Sequence, residues 1–157
     1  MKTYNILSID EFKKKIGNNS RLLGVDPGKK NIGLAICDEN KLVATPLKTI
    51  KKFKFKDFLN EFEKVVEDNQ VKGIIIGNPI NMDGSLGKSS QLSKDLAESL
   101  SKNMTIPISL WDERLSSEAA FKITSDLDTN VSNKIKNLDK NAAAFILQGA
   151  IDYLVKH

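Results

Sequence analysis

The chain has one cysteine, Cys37, and one histidine, His157, which is also its last residue. A lone cysteine excludes an intramolecular disulfide and a cysteine-rich zinc site, so core packing is its expected role. With one terminal, fraying histidine, a histidine general base and the usual partner of a serine nucleophile are both missing. Long apolar runs are missing too. The apolar runs, such as Ile74 to Ile76, are strand-sized, far short of the roughly 20 residues that cross a bilayer. The amino terminus alternates polar with apolar residues and shows no secretory core. These absences point to the cytoplasm and exclude a membrane partner. No internal repeat or low-complexity tract interrupts the 157 residues, a length that suits one domain with a proper core.

The charge balance is mildly basic, +4 with a pI near 9.1. That permits an acidic partner such as nucleic acid, through neutralisation of phosphates and release of their counterions. A solvated lysine surface explains the same excess, so charge has to be argued by position.

The first twenty residues, ending in Gly17-Asn18-Asn19-Ser20, hold a short amphipathic stretch (Ile9, Phe12, Ile16) and predict a helix on an N-terminal extension, residues 1–20. From Arg21 the pattern becomes strand-like: RLLGV, the connection Asp-Pro-Gly-Lys-Lys-Asn, IGLAIC, then Lys41 to Ile50. That predicts a three-stranded meander. Phe55, Phe58, Leu59, Phe62, Val65 and Val66 recur at helical spacing and predict a helix over about 56–69 with one face on the sheet. VKGIIIG, continuously apolar, β-branched and bounded by glycines, predicts a central strand buried on both faces. After the loop NPINMDGSLG come a helix over about 89–102, the strand IPISLW ending at Asp112-Glu113-Arg114, and a helix beginning after Ser116. TSDLDTNVSNKIKN, poor in large apolar residues, reads as a mobile loop that a ligand could order, and a last helix spans about 139–155. The order βββαβαβα describes an α/β domain over residues 21–157, a mixed five-stranded sheet with helices on both faces. Ligands of such sheets gather at strand ends.

Three carboxylates stand at element ends. Asp26 closes the first strand, Glu113 closes a later parallel strand, and Asp139 opens the final helix. If that helix packs beside those strand ends, the three converge where mutual repulsion calls for a cation. Oxygen-only ligation favours Mg2+ or Mn2+. Two such ions about 3.5 to 4 Å apart activate a water and clamp a scissile phosphate, so the implied chemistry is phosphodiester hydrolysis. Each residue also has a plain structural reading: Asp26 as a turn former, Asp139 as a helix N-cap, and Asp112-Glu113-Arg114 as a surface ion pair. The acid cluster is nonetheless the sole catalytic candidate. MDGSLGKSS ends in Gly-Lys-Ser like a nucleotide-binding phosphate loop, but Met82 stands where the leading glycine belongs and Gly84 falls two positions late. The loop's amides, with Lys88 as a point charge, could still grip a nucleic-acid backbone, or form a plain turn.

Taken together, GVDPGKKNIGLAICD, ATPLKTI, GIIIGNPINMDGS, WDERLSSEAA and LDKNAAAFILQGAIDYL resemble, in order, the YqgF-type pre-16S rRNA nucleases, also called Holliday-junction-resolvase-like proteins. The resemblance runs from about Leu22 to Asp152. It implies a ribonuclease-H-like fold and metal-binding roles for Asp26, Glu113 and Asp139. It also implies trimming of the 5' end of precursor 16S rRNA, with the precursor and its pre-ribosomal particle as partners. Lys29, Lys30, Asn81, Lys88 and Arg114 are the expected nucleic-acid contacts. Asn31 departs from a basic residue usual in the family, and Asn78 from the leucine of its usual GLP.

Relatedness to resolvases keeps branched DNA open as a substrate, and a resolvase would dimerise to place two symmetric cuts, so monomer and homodimer both stand. A non-catalytic RNA-binding factor is a further alternative. DPGKKNIG also resembles the first phosphate loop of actin-like ATPases, but those place nucleotide between two such domains and the chain is too short for both.

Overall fold

Six strands form one sheet in the computed structural model, which describes residues 5–79, 88–115 and 138–157, the side chains of 88–89 and 138–140 excepted. The elements are β1 (Ile6–Leu7), α1 (Ile9–Ile16), β2 (Arg21–Asp26), β3 (Asn31–Cys37), β4 (Ala44–Lys51), α2 (Phe55–Asp68), β5 (Val71–Asn78), α3 (Lys88–Asn103), β6 (Ile108–Asp112) and α4 (Leu138–Lys156). Across the sheet the order is β1-β6-β5-β2-β3-β4. β2, β5 and β6 run parallel, while β3 is antiparallel to β2 and β4. The meander, the central strand and the mixed sheet are as the sequence predicts. The helix expected after Ser116, the loop at 124–137 and most of NPINMDGSLG lie outside the described residues.

The strand count corrects the expected five. Ile6 and Leu7 make the sixth by pairing with Ile108 and Ser109 of β6. Two residues are too few for an alternating pattern, so this strand is created by its partner. α1 then begins at the N-cap Ser8: the Glu11 amide donates to Ser8 Oγ at 3.3 Å, and that hydroxyl donates to the Glu11 carboxylate at 3.2 Å. Phe12 is fully buried on the sheet, where its ring occupies the space a side chain at Gly73 would need.

Side-chain alternation divides the core. Leu23, Val25, Ile74 and Ile76 point to one face, with Phe58 and Phe62 of α2 and Leu96 and Leu100 of α3. Burying each such large side chain contributes about 1.5–3 kcal/mol. Leu22, Ile75 and Trp111 point to the other face, with Phe12 and with Ala143, Ala144, Ile146 and Leu147 of α4. β2 and β5 are therefore apolar on both faces, which is why their sequences are continuous hydrophobic runs. Phe55 differs from its expected core position. It is the first residue of α2 and 36% exposed.

Cys37 is a packing residue. Its sulfur accepts from the Leu22 amide at 3.3 Å, and burial pushes the thiol up to about 11, so it stays protonated near neutral pH.

Candidate active site

Parallel pairing brings the ends of β2, β5 and β6 to one rim. Val25 pairs with Ile76, Gly77 with Trp111 and Asn78 with Asp112. Asp26, one residue beyond Val25, therefore stands level with Gly77, and Glu113 follows β6 one step past Asp112. Asp26 alternates with Leu22 and Gly24 and so belongs to the α4 side, whereas Glu113 is the first residue of a short 3-10 turn, Glu113–Leu115, that follows β6 and is placed by its contact at Gly77.

Gly77 lies between them. A Cβ there would meet Ile146 Cδ1 at 2.4 Å and Glu113 Oε2 at 3.3 Å. The missing side chain is thus the space into which the Glu113 carboxylate leans and against which α4 packs. Gly24 does the same one step lower, where a Cβ would come within 2.6 Å of Leu147 Cβ and 2.9 Å of the Ala143 carbonyl oxygen. These two glycines let α4 lie close to the sheet.

α4 descends from this rim. Ala143 meets Gly24, whereas Gln148 reaches the opposite end, accepting from the Ala44 amide at 2.9 Å and donating to the Leu42 carbonyl at 3.0 Å. Asp139 lies one turn before Ala143 and two before Ile146, the spacing of a single helix face. Asp139 thus stands in the first turn of α4, with its side chain outside the described residues. Asp139 is inside α4, not before it, so the N-cap reading does not hold.

The other plain readings divide. Arg114 is held by Asp112, donating from Nε at 3.0 Å and from Nη2 at 2.8 Å. These bonds hold Asp112 below the usual carboxylate range. The ion pair is therefore Asp112 with Arg114, and Glu113 stands apart from it. Burial, then the neighbouring Asp112 charge, push the Glu113 carboxyl up. Among the described residues no donor offsets this. Asp26 is half-buried and ends its strand opposite Gly33. The turn beyond it is tight: a Cβ at Gly28 would come within 2.3 Å of the Asn31 carbonyl oxygen. Lys29 and Lys30 are exposed at its tip.

Lys88 opens α3, its side chain outside the described residues, and Asn81 lies outside them altogether. Asn78 has a structural task in place of the family's usual leucine. It is buried and accepts from Ser90 Oγ at 2.7 Å, while Ser93 Oγ donates to the Gly77 carbonyl at 2.6 Å. Together they tie the end of β5 to α3. Gly77 itself had only the signal of a glycine bounding an apolar run, so its place between two acids was not legible beforehand.

The described donors suit a hard cation. They are carboxylate oxygens, one of them made unfavourable as a bare charge by burial, on a rim with no described histidine or cysteine.

A family model described as "RuvX: Holliday junction resolvase" matches residues 20–153. The chain is 51% identical over 149 residues to a protein of Pelagibacter ubique named "Putative pre-16S rRNA nuclease", covering 95% of this chain and 99% of that one. A protein of the same name from Rhodobacter capsulatus is 40% identical over 146 residues, covering 93% and 92%. Among solved structures, T. thermophilus RuvC in complex with a Holliday junction substrate superposes with a TM-score of 0.55 at 11% identity, covering 87% of this chain and 96% of that one. The yeast mitochondrial Holliday junction resolvase gives 0.50 at 13%, covering 94% and 86%. These two likenesses establish the RuvC-like ribonuclease-H-like fold. Sequence identity carried across nearly the full length, on that fold, establishes that the chain belongs to the RuvX family.

Proposed function

We propose that this chain is a divalent-metal-dependent nuclease that acts in the cytoplasm on precursor 16S rRNA, at its 5' end, within the pre-ribosomal particle. The observation that carries the reading is the placement of Asp26 and Glu113 on one face of one rim, on either side of the space left by Gly77. The names of the curated relatives support the RNA substrate.

Asp26, Glu113 and Asp139 would hold magnesium or manganese, which supplies positive charge at the scissile phosphate and lowers the pKa of the attacking water. The protein's own part is positional. The end of β2 and the turn after β6 carry two carboxylates, and α4, packed close to the sheet at Gly24 and Gly77, would carry the third. Lys29 and Lys30 at the exposed turn, together with Asn81 and Lys88, would take the phosphates of the substrate. Arg114, held by Asp112, adds positive potential at the β6 end. Residues 21–157 carry this machinery, and residues 1–20 are an addition that extends the sheet.

The family description favours a second substrate, a four-way DNA junction, cut by the same chemistry but by a homodimer. One paired assay separates the readings. Wild type and Asp26→Asn are given precursor rRNA and a four-way junction, each with Mg2+ and with chelator. Cleavage of the RNA by a monomer, lost on chelation and in the variant, is the expected result. Junction cleavage by a dimer would replace the substrate, and RNA binding with no cleavage would remove the enzyme.

A further inference from the structure

Phe53 is 82% exposed, more than any other large apolar side chain among the described residues. It stands in Lys51-Lys52-Phe53-Lys54-Phe55-Lys56, with no acid before Asp57. Phe55 leans on Phe58, ring centroids 5.8 Å apart. Phe53 belongs to neither core cluster, so its ring is presented to solvent among lysines.

This segment is fastened to the rim of the carboxylates. β4 is the edge strand and runs parallel to β2, so Lys51 ends it at the same side of the sheet as Asp26. Lys51 pairs with Asn31, and the Lys52 amide donates to the Lys30 carbonyl at 2.7 Å. The lysine-phenylalanine segment and the turn that follows Asp26 are thereby one surface. Asp26, Gly33 and Thr49 are level across three strands. Lys51 thus stands two residues higher and two interstrand spacings away, roughly 10 Å across the sheet.

An aromatic face amid lysines matches single-stranded nucleic acid. An unpaired base stacks on the ring while its flanking phosphates meet the cations, whereas a duplex keeps its bases stacked inside and offers the ring nothing. An apolar protein surface would have to desolvate these lysines to reach the ring.

We propose that Phe53, flanked by Lys30, Lys51, Lys52 and Lys54, is the stacking platform for an unpaired base of a single-stranded RNA segment leading into the active site. This rests on the nuclease reading above and adds to it a residue that selects single-stranded over duplex RNA.

The test is binding of a fluorescein-labelled 12-nucleotide single-stranded RNA and of a blunt RNA duplex to the full chain, in chelator so that nothing is cut. Phe53→Ala should weaken single-strand binding roughly 5- to 100-fold, the range of a lost base stack, and leave duplex binding within about twofold. Phe53→Trp should retain it. Because the side chain lies outside the core, thermal melting of all three proteins should coincide. Unchanged single-strand binding in Phe53→Ala, or an equal loss on both RNAs, would overturn the platform. So would a dimer that dissociates in Phe53→Ala with RNA binding intact, which would assign the ring to a second copy. The nuclease reading fails separately: if wild type never cuts with Mg2+ yet Phe53→Ala loses single-strand binding, the platform stands and the catalysis does not.

Discussion

Asp38 and Glu113 sit at opposite ends of the same sheet, both partly shielded from water, and their carboxyls respond in opposite directions. At Asp38, in the β3–β4 hairpin, burial opposes the charge. The amides of Val43, Leu42 and Asn40, donating at 2.9, 2.8 and 3.1 Å, outweigh it and hold the group below the usual carboxylate range. At Glu113 burial has no such opponent among the described residues, Asp112 adds its own charge, and the group is pushed up. Asp38 is completed by its own loop and serves the fold. Glu113 has no such donors among the described residues. The donors around a carboxylate, more than its burial, decide which way its pKa moves.

The sharpest way to break this contrast is at Glu113. Glu113→Gln should lower Mg2+-dependent RNA cleavage by about a thousandfold, as expected for loss of several kcal/mol of transition-state stabilisation, with initial rates as the measure. Asp38→Ala should leave those rates within about twofold. Gly24→Ala comes next. Its Cβ would press on the Ala143 carbonyl and Leu147, which should cost about 1–3 kcal/mol in urea unfolding and slow cleavage by shifting α4, on which Asp139 rides.

Asp38→Ala should destabilise the fold by about 1–2 kcal/mol near neutral pH. The folded pKa lies below the ordinary 3.8, so this contribution is complete above that value and is lost as pH falls through the folded one. Melting temperatures of wild type and Asp38→Ala should therefore converge in acid. The smallest effect has the opposite sign. In metal-free protein, Glu113→Gln removes a poorly solvated charge and should raise stability by less than about 1 kcal/mol, read as a small gain in melting temperature. A fall of similar size to that at Asp38 would erase the distinction between the two acids.

Most of this architecture was legible beforehand because its signals are local. The runs RLLGV and GIIIG announce strands buried on both faces, and the spacing of Phe58, Phe62, Val65 and Val66 announces α2. Leu22 and Cys37 appear as the core residues their types suggest. Three features had no local signal. β1 exists because β6 offers Ile108 and Ser109 as partners. Phe55 falls at the first turn of α2, where helical periodicity no longer decides burial. Asp112, not Glu113, takes Arg114, because the short turn after β6 folds the Arg114 amide and guanidinium back onto the Asp112 carboxylate.

The sequence by itself determined which acids were available, at which element ends, and with no histidine or cysteine chemistry to compete, since residue type and chain order are fixed before folding. Only the tertiary structure decided that Asp26 and Glu113 share a face, that Gly77 leaves the room between them, and that Lys52 joins Phe53 to the same rim. Strand register and helix approach depend on contacts between residues tens of positions apart, and a linear pattern carries no information about which of those contacts form.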